Sequence, residues 1–228
     1  MNGQSDKKEI RVWDKPTRLF HWSLVTMVAI GWITSEAEGA LFWTHLMSGY
    51  GILLLVFFRL VWGVLGGRHA RFSDFVTGRD AIRSHIRGIL TLRPPRHIGH
   101  NPLGGWMILA LLAGLGLVVA TGLFSSHHDD HGPYAALVSS GMAEALSEVH
   151  EALTSILLFL IVGHVLGVLL DSLLGQENLV RAMWTGRKKI PADAQQDDAP
   201  QSSVGRFVMA LVVAGLGLAA VILGAPVV

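Results

Sequence analysis

The side chains with the most chemistry to offer in this chain are histidines: there are 11 among 228 residues, and no cysteine accompanies them. Two of them, His150 and His164, lie fourteen residues apart in one long apolar run, Glu148 to Asp171 (EVHEALTSILLFLIVGHVLGVLLD). In an α-helix that spacing returns a side chain to within about 40° of the same face and moves it roughly 21 Å along the axis. One helix would therefore aim two imidazoles at one neighbour, toward opposite sides of a hydrocarbon core of about 30 Å. His21 and His45 open two earlier apolar runs. Neutral imidazole is a good ligand for iron and other transition metals, and it is also a proton carrier.

The elements that must position these histidines are membrane spans. With 51% hydrophobic and 15% charged residues, the composition is that of a membrane protein. Residues 1–18 are polar and read as a tail, and the first apolar run is followed by Glu36 and Glu38, so no cleavable signal peptide is expected. Spans are expected over about 19–35, 41–65, 102–124 and 148–171, with a fifth over 204–228. The stretch between the second and third spans carries seven arginines and Pro94-Pro95, and Arg79 to Leu92 could form a short interfacial helix. Residues 175–203 read as a polar segment, its last part (191–203) a flexible linker.

All 18 Lys and Arg fall in the N-terminal tail, between spans two and three, between spans four and five, or at Arg59 and Arg206 near those ends. The positive-inside rule then makes the N-terminus cytoplasmic and the C-terminus periplasmic. His21 and His164 lie toward the cytoplasm, His45 and His150 toward the other side. Intramembrane ionisable groups normally face a bundle interior and are functional by default. Two haems, each held by two histidines, would use all four: His21 with His164 and His45 with His150. A single intramembrane histidine is equally readable as a helix–helix hydrogen-bonding residue, and the joint pattern is what favours ligation. Without cysteine, iron–sulfur clusters and covalently attached haem are excluded.

Gly49, one turn after His45, and Gly163, beside His164, would let a planar macrocycle approach the backbone. Arg59 could pair with a haem propionate or snorkel to lipid phosphate. The cluster His127-His128-Asp129-Asp130-His131 has a metal-binding composition, though such loops usually bind adventitiously. His69, His85, His97 and His100 sit among arginines and read as solvated or at headgroups. Nothing in the charge pattern points to nucleic acid.

The pieces VWDKPTRLFHW, HLMSGYGILLLVFFRLVWG, GHNPLGGWM, TGLFSS, GPYAALVSS, HEALTSILLFLIVGHVLGVLLDSLL and ENLVRAMWTGRK, over about residues 11–189, resemble the bacterial cytochrome b561 family. That family includes the cytochrome b subunits of membrane-bound nickel–iron hydrogenases. The resemblance implies an all-α, four-helix membrane bundle with two haem b groups ligated by histidines of the first, second and fourth helices, which map onto His21, His45, His150 and His164. It also implies a quinone-pool partner at one end and a periplasmic c-type cytochrome or hydrogenase at the other, in the bacterial inner membrane. The fifth segment and the histidine-rich loop depart from the family pattern.

A bis-histidine iron has no open position, so electron transfer is expected rather than oxygen chemistry, with a quinone as a further ligand and the chain working alone, as a homo-oligomer or beside other subunits. A quinol-dependent reductase or superoxide:quinone oxidoreductase is a second reading. A haem-free membrane adaptor or transporter is a third.

Overall fold

The computed structural model describes residues 7–36, 38–127, 130–192, 198–200 and 202–226, with the side chains of Lys7 and His127 left aside. In chain order the elements are β1 (Lys7–Arg11), α1 (Lys15–Ile33), α2 (Ala40–Leu65), α3 (Phe72–Phe75), α4 (Arg79–Leu90), α5 (Pro102–Phe124), β2 (Ser126–His127), β3 (Asp130–His131), α6 (Ser140–Gly175), α7 (Leu179–Thr185), β4 (Arg187–Pro191) and α8 (Val204–Gly224). The fold is an all-α bundle of membrane helices with two short β pairings. Helices α2, α5, α6 and α8 are each long and apolar enough to cross a membrane. α1 is 19 residues long but is diluted by Lys15, Arg18 and His21 in its first turns.

Local sequence sets where these helices start. Asp14 caps α1, its Oδ1 accepting from the Thr17 amide at 2.9 Å, with Pro16 in the first turn. Asn101 does the same for α5, its Oδ1 accepting from the Gly104 amide at 2.6 Å, with Pro102 at the first helical position. Asn178 caps α7 through the Arg181 amide at 2.7 Å, and Gly186, at φ 80°, ends it in the left-handed conformation. α6 begins at Ser140, eight residues before the expected span, so the loop after α5 is shorter than the sequence suggested.

The chain forms two compact units. The first comprises 1–19, 62–108 and 162–207. In it β1 pairs antiparallel with β4, Lys7 opposite Pro191 and Arg11 opposite Arg187. Ile10, Val12, Trp13, Ala182 and Ile190 form the core beneath. Linker residues expected to be free also bind here: Ala199 donates its amide to the Arg11 carbonyl at 3.0 Å, and Asp198 accepts from the Arg11 amide at 2.7 Å. The rest of the linker, 193–197 and 201, lies outside the described residues.

The second unit comprises 20–61, 109–161 and 208–228. Its helices approach closely through glycine. A Cβ at Gly31 would stand 2.9 Å from Ser48 Oγ, one at Gly51 2.8 Å from Met27 Sδ, and one at Gly217 3.0 Å from the Phe57 ring. Ile52, Leu53, Val56, Leu112, Leu115, Val119 and Leu157 are buried, while Phe159, Leu216 and Leu223 face outward. Such outward apolar surface is stable in lipid and not in water. The chain is a multi-pass membrane protein.

Candidate haem site

In the second unit α2 carries His45 and α6 carries His150, and the two rings meet with centroids 6.3 Å apart and planes inclined at 72°. Two imidazoles bound to one metal at about 2.0–2.1 Å per nitrogen hold their ring centres a little over 6 Å apart. The observed separation therefore fits a shared metal. It is too long for a hydrogen bond between the rings themselves.

The outer ring nitrogens are already engaged. His45 Nδ1 lies 2.9 Å from the Gly31 carbonyl oxygen, and His150 Nδ1 lies 2.8 Å from the Val118 carbonyl oxygen. A carbonyl can only accept, so each Nδ1 carries the hydrogen and each neutral ring keeps its lone pair on Nε2. A hydrogen bond of this kind from the far ring nitrogen orients a metal-binding histidine and raises its basicity. Thr121 Oγ1 also lies 3.4 Å from His150 Nδ1.

Nothing in the sequence points to these acceptors, because they are backbone atoms. The one indirect signal is Gly122, four residues after Val118: a Cβ there would sit 2.8 Å from His150 Cε1. Its missing side chain is what lets the imidazole reach the Val118 carbonyl. At Gly49 a Cβ would meet no atom within 4 Å, so the backbone one turn after His45 is open.

His21 lies two turns into α1, edge-on to Trp22 at 5.0 Å, and belongs to the second unit. His164 belongs to the first unit, next to Gly163, where a Cβ would stand 3.7 Å from Met107 Cε. All four histidines are partly buried. Arg59 is buried, 2% exposed.

The four further histidines between α2 and α5 are not simply solvated. His85 is 1% exposed, and His100 packs between Trp13 and Phe75 at 4.4 and 4.7 Å. Burial holds His69 and His97 below the ordinary histidine range; Arg68 adds to this for His69 and His85 for His97. In the histidine-rich loop, His131 Nδ1 lies 2.7 Å from Ser126 Oγ, while His128 and Asp129 lie outside the described residues. Among the described residues no three His, Asp or Glu come together as a metal-ion site.

Two curated proteins are similar to this chain. A probable Ni/Fe-hydrogenase B-type cytochrome subunit from Cupriavidus necator is 23% identical over 212 residues, covering 78% of this chain and 86% of that protein. One with the same description from Rhizobium leguminosarum bv. viciae is 25% identical over 122 residues, 43% of this chain and 51% of the relative, so the chain matches about half of its length. No solved structure matches. The family model for prokaryotic cytochrome b561 matches residues 12–186, a range that holds His21, His45, His150 and His164. On that match over most of its length, the chain belongs to the prokaryotic cytochrome b561 family.

Proposed function

We propose that the chain passes electrons across the bacterial inner membrane between the quinone pool and a periplasmic redox protein, through two haem b groups. Transmembrane electron transfer by a b-type cytochrome follows from the family. The observation that carries the finer reading is the His45–His150 pair, 6.3 Å between ring centres with both Nδ1 atoms tied to backbone carbonyls. His45 and His150 would hold one haem, and His21 and His164 the other. The second pair rests on the complementary depths of the two histidines in their helices.

Haem, when bound, supplies one-electron exchange at its iron. The residues of the chain do the rest. His45 and His150 would hold the haem between them, and a haem held by two histidines favours electron transfer over oxygen or superoxide chemistry. The Gly31 and Val118 carbonyls hold the rings against rotation, so little rearrangement accompanies a change of charge. The outward apolar side chains of α6 keep water from the span.

The positive charges support a cytoplasmic N-terminus and a periplasmic C-terminus. The names of the two relatives favour a nickel–iron hydrogenase as the periplasmic partner, with a c-type cytochrome as the second reading. The test is to reduce the purified chain in lipid with hydrogenase and hydrogen, or with a reduced c-type cytochrome, and then add quinone. Hydrogen-driven haem reduction followed by quinone-driven reoxidation is expected. Haems that respond to neither periplasmic donor would contradict the reading.

A further inference from the structure

We infer that His85 and Asp171 form a redox-linked proton site: when the haem assigned to His164 gains an electron, His85 takes up a proton from the cytoplasm. The inference rests on the haem assignment above and goes beyond it. Three observations in the first unit carry it.

The first is an unusual burial. α4 turns His85 inward, and Gly88, one turn on, lets the helix lie tight on the following loop, where a Cβ would stand 2.8 Å from Pro94 Cα. That loop returns His97 to His85, ring centres 5.4 Å apart. His85 is 1% exposed, yet neither of its ring nitrogens has a hydrogen-bond partner among the described residues, and neither does His97 Nε2. A buried polar group left in this way calls for a functional explanation.

The second is the charge arrangement. Asp171 Oδ1 lies 3.7 Å from His85 Nε2, while its Oδ2 accepts from Asn101 Nδ2 at 2.7 Å, which fixes the carboxylate. A proton on His85 would therefore form an ion pair and leave no net charge buried. The other groups facing the site are already engaged. Lys188 pairs with Glu177 at 3.1 Å and donates to the His97 carbonyl at 3.1 Å, and on α4 itself Arg83 and Arg87 point outward and are exposed. His97, partly buried with its ring 5.4 Å from that of His85, would be the exchange route.

The third is position. Asp171 follows His164 by seven residues on α6, hence on the same helix face and about 10.5 Å farther along it. A negative charge added at His164 would favour the protonated form of His85, which lies in the same unit beside Asp171. The step balances: iron gains one electron from a quinol or the periplasmic partner, and the His85 imidazole gains one proton from cytoplasmic water. A quinone, which needs both, would receive them at the same end of the chain.

The test is redox titration of the purified protein between pH 5.5 and 8.5, following the haem that His164→Ala removes. In the wild-type chain its midpoint is expected to fall with rising pH across the window in which His85 titrates, by no more than the 59 mV per unit that one proton per electron allows. His85→Gln should flatten that slope with the haem count kept. Asp171→Asn should move the sloping window to lower pH, and it decides the matter if the His85 variant does not fold. A flat wild-type profile, or an unchanged slope and window in the variants, would overturn the proton site. If His164→Ala removes no haem, the haem assignment fails first, and the proton site fails with it.

Discussion

The imidazole of His150 rests on the bare backbone of Gly122, at 2.8 Å from where a Cβ would be. Real side chains do not tolerate that distance, so Gly122→Ala must push the ring off the Val118 carbonyl. The expected result is a roughly tenfold or greater loss of affinity for the haem assigned to His45 and His150, with the other haem retained. Haem content per chain after dialysis against apomyoglobin reads this directly. Full retention of both haems would contradict it.

Gly49 offers the complementary case, because a Cβ there meets no protein atom within 4 Å. Gly49→Ala should leave the haem-free chain as stable as before, or up to about 1 kcal/mol more stable from helix propensity alone. If the macrocycle lies over this backbone, haem occupancy falls nonetheless. Thermal unfolding with and without haem separates the two effects.

Gly31 both supplies the carbonyl that holds His45 and lies within 2.9 Å, at its missing Cβ, of Ser48 Oγ. Gly31→Ala should therefore shift the potential of the same haem and lower stability. Adding Ser48→Ala removes the clashing hydroxyl and should restore most of the loss. A coupling of roughly 0.5–3 kcal/mol between the two changes is expected from double-mutant analysis, and strict additivity would contradict the packing argument.

These relationships mark the limit of what the sequence reveals. The apolar runs of α2, α5, α6 and α8 are legible because a hydrocarbon core needs about twenty apolar residues in a row. The depths of His45 and His150 follow from where they fall in those runs. The start of α6 at Ser140 is not legible, because SGMAEALS is too polar to register as a span and yet continues the helix. The pairing of β1 with β4 joins segments about 180 residues apart, each five residues long, and neither carries a signal of its own. His85 misleads for a related reason: its neighbours Arg83 and Arg87 suggest solvent, but the helix periodicity sends them outward and turns His85 in.

Acid should destabilise the first unit. His69 and His97 are held below the ordinary histidine pKa of 6.5, chiefly by burial. As pH falls through 6.5 the unfolded chain binds protons that the folded chain refuses, so stability is full above that value and declines below it. A melting temperature lower by a few degrees at pH 5.5 than at pH 7.5 is expected, and His97→Gln should reduce the difference.

Helix α8 lies outside the residues that match the family, and it packs through Ala210 and Ala214, both fully buried. Tyr134 anchors it by donating to the Val221 carbonyl at 2.5 Å. Ala214→Leu should overpack this contact and cost about 1–3 kcal/mol. The haem spectrum should be unchanged, since no proposed ligand lies on α8. A lost α-band would give this helix a part in haem binding.

The central claim is that His45 and His150 share one iron. It is tested most directly by comparing His45→Ala with His150→Ala by haem quantification and electron spin resonance. Each variant should lose the same low-spin signal and keep one haem per chain, and the double variant should look like either single one. Loss of different signals in the two variants would contradict the claim, as would two haems in either.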